Sequence, residues 1–229
     1  MKKFIFLFLS VVTLTSCEKN VEFNNPGFQG LINNTLWKAT NMSATKGASG
    51  SITIKGIFGG ESLDLALNST ALGTRTLGTI TSSSFVSYSL ESASNSFDYT
   101  TGITSAPAND VTLFSGGTGY VTSDLVVTIG GSGTRLKVNI EADAGGAVTD
   151  VSVNDPGENY RAGDLVTITG GGANATFVVD NVTKSNGEIT ITAYDGATIS
   201  GNFNFTAFDS GNNQTAFCRE GVFYKVPVN

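Results

Sequence analysis

Leu14-Thr15-Ser16-Cys17 places a thiol behind one aliphatic residue and two small or polar ones. This is the pattern at which lipoprotein signal peptidase cuts and a diacylglycerol is joined to sulfur as a thioether. Upstream, Lys2 and Lys3 supply a positive start, and Phe4 to Leu9 with Val11 and Val12 supply a short apolar run. A spanning helix needs about 18 to 20 apolar residues, and Ser10, Thr13 and Thr15 interrupt this run well before that. Residues 1–16 therefore read as a removable signal, the alternative being an ordinary signal peptide with an incidental cysteine. Acylation of Cys17 would bury many methylenes at about 0.8 kcal/mol each, enough to keep the mature chain on its membrane.

Catalytic constellations are sparse. The chain has no histidine, which removes Ser-His and Cys-His nucleophile pairs, HExxH zinc sites and the commonest general base. A Gly-x-Ser-x-Gly elbow is missing too. Gly170-Gly171-Gly172-Ala173-Asn174-Ala175 loosely fits a dinucleotide fingerprint, but Thr176-Phe177-Val178-Val179 continues as a strand where a helix N-terminus must meet the pyrophosphate. Nineteen acidic residues keep a two-carboxylate glycosidase open by composition, yet no local context singles out a pair. The expectation is a non-enzyme without cofactor or metal. The oxygen-rich stretches Asn154 to Asn159 and Asp209 to Asn213 match neither the twelve-residue calcium loop nor a nonapeptide calcium repeat and read as turns. Cys218, between Phe217 and Arg219, reads as a small buried hydrophobe, and Trp37 as a core anchor before a sugar platform.

The remaining candidates recur. Gly117-Thr118-Gly119-Tyr120 followed by Ser123-Asp124-Leu125-Val126-Val127-Thr128-Ile129-Gly130-Gly131 returns forty residues later. The second copy is Gly157-Glu158-Asn159-Tyr160 followed by Gly163-Asp164-Leu165-Val166-Thr167-Ile168-Thr169-Gly170-Gly171. One reading makes Tyr120 and Tyr160 exposed aromatic platforms, with Asp124 and Asp164 as polar partners for a glycan or protein. The other packs each ring on glycine backbone and uses each carboxylate to accept main-chain N–H groups of a turn. Each copy would continue with a strand (135–140, then 176–179), a turn and a further strand (147–153, then 188–192). Two copies are few for a free-standing solenoid and should dock on a host domain or form a small β-roll.

Around these residues the elements are strands. Charged side chains are only 14% of the chain, and no stretch beyond residue 17 keeps an i, i+3, i+4 apolar pattern. Alternation over four to eight residues recurs instead, as in Ser51 to Lys55, Ser62 to Leu67, Glu188 to Thr192 and Asn202 to Thr206. The fold class expected is all-β, an antiparallel sandwich or flattened barrel with an inserted two-repeat β module and almost no helix after the signal. The organisation expected is signal 1–16, lipidated Cys17 and tether 17–25, host 26–103 plus 184–229, and insertion 104–183. Loss of the signal takes two of thirteen basic residues, leaving eleven against nineteen acidic ones, a net of about −8. Such a surface disfavours nucleic acid and anionic lipid head groups.

Phe28-Gln29-Gly30-Leu31-Ile32-Asn33-Asn34-Thr35-Leu36-Trp37-Lys38-Ala39 near the start resembles one motif of a family of uncharacterised Bacteroidota lipoproteins. Gly187 to Thr192, Ile199 to Ala207 and Glu220-Gly221-Val222-Phe223 resemble that family's closing strands. Asn34 stands where the family usually has Gly. The resemblance covers about 120 residues in two blocks and implies a compact antiparallel β domain on a lipid anchor, with no activity to carry over. The stretch between the blocks is similar to glycine-tyrosine repeats of phage tail-fibre and bacterial surface proteins. Function is therefore expected to be contact at a cell envelope, through glycan, envelope protein or partner protein. The alternative is a structural accessory subunit of an outer-membrane complex. Glu18 and Glu22, just after Cys17, bear on which leaflet the chain faces.

Overall fold

A computed structural model describes residues 26–91 and 96–229, so the signal, Cys17 and the tether lie outside the described residues. The chain is all-β as expected, its one helical piece among these residues a single turn at Ala48–Gly50. Eight strands come first: β1 (Gly27–Ile32), β2 (Thr35–Lys38), β3 (Asn41–Lys46), β4 (Ile52–Phe58), β5 (Glu61–Leu67), β6 (Gly73–Thr76), β7 (Phe85–Glu91) and β8 (Ser96–Thr100). Six follow: β9 (Ala108–Ser115), β10 (Ser123–Gly130), β11 (Thr134–Ala142), β12 (Val148–Glu158), β13 (Leu165–Ile168) and β14 (Thr176–Val182). The last three are β15 (Asn186–Tyr194), β16 (Thr198–Asp209) and β17 (Gln214–Pro227).

These strands form two sheets with separate cores. The larger takes the first eight and last three strands, ordered β2-β1-β17-β16-β8-β7-β5-β4-β3, with β15 and β6 branching from β16. It curls until Val228 bridges Ala44 on β3. Alternation sends Ile52, Ile54, Leu63, Leu65, Ile189, Ile191, Phe203 and Phe205 inward. Phe28 meets Trp37 and Phe203 edge-on, ring centroids 5.5 Å apart in each case, so the single tryptophan is a core residue.

The smaller sheet runs β12-β11-β10-β13-β14-β9 and nearly closes, because Val148 N–H donates to Gly116 O at 2.8 Å and brings β12 back to the end of β9. Exchanging β9 with β12, β10 with β13 and β11 with β14 maps this order onto itself. The repeat pattern places the third strand of the second copy at 188–192, and the structure places a different strand there. Residues 188–192 lie in β15, which pairs with β16 and buries Ile189 and Ile191 in the larger core. β9 fills the place beside β14 instead, putting Val111 into the smaller core. The forty-residue correspondence begins one strand earlier than the glycine-tyrosine motif suggests, with Asp110-Val111-Thr112 matching Asp150-Val151-Ser152.

Candidate contact surfaces of the inserted sheet

Tyr120 and Tyr160 are 4% and 1% exposed, so neither ring is a platform for a ligand. Each packs on the glycine cluster of the other copy. A Cβ on Gly131 (φ +73°) would come within 3.1 Å of the Tyr160 ring, and one on Gly171 (φ +46°) within 2.8 Å of Tyr120. These two positions need glycine both for the left-handed backbone and for the ring above it. The Tyr120 hydroxyl donates to Ile168 O and accepts from Asn174 N and Ala175 N, all at 3.0 Å. The rings therefore interlock the two halves of the small barrel.

The two aspartates part company. Asp164 Oδ2 accepts from Ser132 Oγ (2.6 Å), Ser132 N (3.0 Å) and Arg161 N (2.9 Å), so this carboxylate of the second copy clamps the glycine turn of the first. Asp124 is exposed, at a bulge where the β10–β11 register shifts between Ser123 and Val126 and where Leu125 takes φ +56°. The structure thus brings Asp164 beside a turn and leaves Asp124 at the surface. The oxygen-rich loop at Asp209 is likewise spent on its own turn. Hydrogen bonds led by the Asn212 side-chain amide (2.7 Å), with Gly211 N and Asp98 N among the rest, hold the Asp209 carboxyl below the usual carboxylate range.

The bulge sets what β10 shows to solvent. Beyond it Thr128 points inward, its hydroxyl donating to Leu136 O at 2.8 Å, while Leu125, Val127 and Ile129 point outward, each more than half exposed. Leu165 on the neighbouring β13 is exposed as well. Lys137 stands opposite Val127 and Thr167 opposite Ile129, giving an aliphatic stripe a polar margin. Hydrophobicity alone would bury the three aliphatics, but a shift of one residue reverses the faces of a strand.

A second surface lies where the small barrel meets the 68–82 segment of the large sheet. A cleft of about 550 Å³ opens there between Arg75, Thr76 and Thr79 on one side and Asp110, Thr112 and Asp180 on the other. Arg75 is pinned by its own loop, donating to Gly73 O (2.8 Å) and Ala71 O (2.7 Å). Thr112 Oγ1 donates to Asp180 Oδ2 at 2.6 Å. Burial pushes the Asp180 carboxyl upward, the Thr112 hydrogen bond opposes this, and neighbouring Asp110 adds to the rise. Sequence reading missed these residues, because positions 75, 110 and 180 meet only through β9–β14 pairing and the docking of the two sheets.

The chain matches the family described as Domain of unknown function (DUF6252) over residues 24–128 and again over 120–227. It is a DUF6252 protein. Residues 1–17 of this DUF6252 chain match the prokaryotic membrane lipoprotein lipid attachment site, ending on Cys17. The DUF6252 protein is thus exported and lipid-anchored, as Leu14-Thr15-Ser16-Cys17 implied. No curated protein and no solved structure matches it.

Proposed function

We propose that this lipoprotein works by contact rather than catalysis at the outer membrane of a Bacteroidota-type envelope, with the inserted repeats docking a partner protein. The observation that carries this reading is the phase of β10, which gives Thr128 the inner position and presents Leu125, Val127 and Ile129 to solvent. An apolar centre with a polar margin fits a protein interface. The partner chemistry follows from what is presented there. Aliphatic side chains that offer no hydroxyl or carboxylate partners suit another protein's apolar strand or helix better than a sugar. A net charge of about −8 on the mature chain disfavours a second copy of itself. An accessory role in an outer-membrane complex is the form of docking that this stripe favours over glycan display from the two tyrosines.

The test is the size of the native assembly. Detergent-extracted wild-type lipoprotein should elute as part of a larger complex. The double variant Val127→Lys/Ile129→Lys, with an unchanged melting temperature, should elute alone. Elution of the wild type as a lone chain, or retention of the variant in the complex, refutes the reading.

A further inference from the structure

We infer that the cleft between the 68–82 segment and strands β9 and β14 is a binding site for a neutral glycan. It is independent of the β10 stripe, with which it shares no residue. A cleft of this size where two packed bodies meet has room for a small ligand, and its lining of polar side chains restricts that ligand to a polar one. Here each body supplies half of the recognition groups. Arg75, Thr76 and Thr79 come from the large sheet, and Asp110, Thr112 and Asp180 from the small one.

The lining selects the ligand class by elimination. No aromatic or large aliphatic side chain faces the cleft, so a lipid tail or a nucleobase has nothing to pack on. Two carboxylates oppose a phosphate or carboxylate ligand, and the Arg75 guanidinium opposes a polycation. Both signs and several hydroxyls within one cleft fit a neutral polyol. Carboxylates accept from vicinal hydroxyls, a guanidinium donates to ring and hydroxyl oxygens, and threonine does either.

Preorganisation supports the same assignment. Arg75 spends two N–H groups on Gly73 O and Ala71 O, which fixes the plane of the guanidinium and leaves its other N–H groups to donate. The Thr112 hydroxyl holds Asp180 by Oδ2, leaving Oδ1 as an acceptor. Asp180 and Asp110 sit on neighbouring strands, Asp110 opposite Asn181, where like charges cost stability unless something occupies the space between them. Hydroxyl donors relieve that repulsion without adding a charge that Arg75 would oppose. Ile80 lies against Gly163, where an added Cβ would fall 2.8 Å from Ile80 Cδ1, so the loop that carries Thr79 is seated on the small barrel.

The experiment is calorimetric titration of the purified, detergent-extracted lipoprotein with laminarin, dextran, yeast mannan, xylan and chitohexaose. At least one should bind, and Asp180→Asn and Arg75→Met should each weaken it at least tenfold. Thr112→Val should weaken it less, and Glu220→Gln, on the far strand β17, should leave it unchanged. Melting temperatures of all variants separate lost binding from lost folding. Absence of binding by every member of the panel overturns the proposal, as does undiminished binding by a folded Asp180→Asn, or binding of Ca²⁺ with no sugar binding. The Val127→Lys/Ile129→Lys chain should keep its sugar affinity even where it loses its assembly, so failure of one site is distinguishable from failure of the other.

Discussion

Tyr120 and Tyr160 occupy corresponding places, yet their hydroxyls differ. That of Tyr120 ties together Ile168 O, Asn174 N and Ala175 N, whereas among the described residues the Tyr160 hydroxyl has no such partner. Removing a buried partner leaves polar groups unsatisfied at about 1–3 kcal/mol. For a chain of this length each kcal/mol moves the melting temperature by about 2–4 °C. Tyr120→Phe should therefore melt several degrees below wild type in a calorimetric scan, and Tyr160→Phe within about one degree of it. No loss in either variant would show that the interlock is carried by the rings alone. Part of this arrangement was legible in the sequence. Gly-x-x-Tyr beside glycine clusters implied ring-on-backbone packing, and an aspartate opening a strand implied a turn clamp, which Asp164 is. That each residue serves the other copy was not legible, because nothing local records which turn a side chain reaches across about thirty to fifty-five residues of chain. The Asp110, Asp180 and Arg75 cleft was invisible for the same reason.

At the level of strands, alternation located β4, β5, β15 and β16, since period-two burial is a local property that hydrophobic spacing records directly. In two strands it did not decide the outcome. In β10 a bulge at Asp124–Leu125 inverts the phase, so the side set aside by hydrophobicity as core is the exposed one. In β15 the repeat pattern and the closing-strand motif competed for the same residues, and tertiary packing on Phe203 and Phe205 decided for the larger sheet. The small barrel is bounded by a close pair of chain ends, Thr183 N–H donating to Pro107 O at 2.9 Å. Its core shares no residue with that of the larger sheet. Replacing residues 108–182 by a short Gly-Ser linker should accordingly leave the larger sheet folded, with one cooperative urea transition and a smaller m-value in proportion to the surface removed. A broad or absent transition would mean that the large sheet depends on its insert.

Across the whole molecule, strand register sets the tether and the insert apart. Phe28 lies level with Phe223, Gly201 and Ile191, and Ile32 with Cys218, Phe205 and Gly187. The chain enters the large sheet beside the first row, and the small barrel rejoins it beside the second. At about 3.4 Å per residue the two rows are separated by roughly 14 Å along the strands. Ten residues from Cys17 to Gly27 reach at most about 35 Å, so the lipid keeps the start of β1 within that distance of the bilayer. Acylation rather than charge must supply that hold, because a net of about −8 is repelled by anionic head groups. Washing membranes with 1 M salt should therefore leave the wild-type chain in the pellet and detergent should extract it. Cys17→Ser should appear in the soluble fraction with an unchanged melting temperature, since Cys17 precedes the first strand by ten residues. Release of the wild type by salt would show that the chain is held through a bound partner instead of its own lipid. In that case the β10 stripe, with Lys137 at its margin, would be the surface to disrupt next.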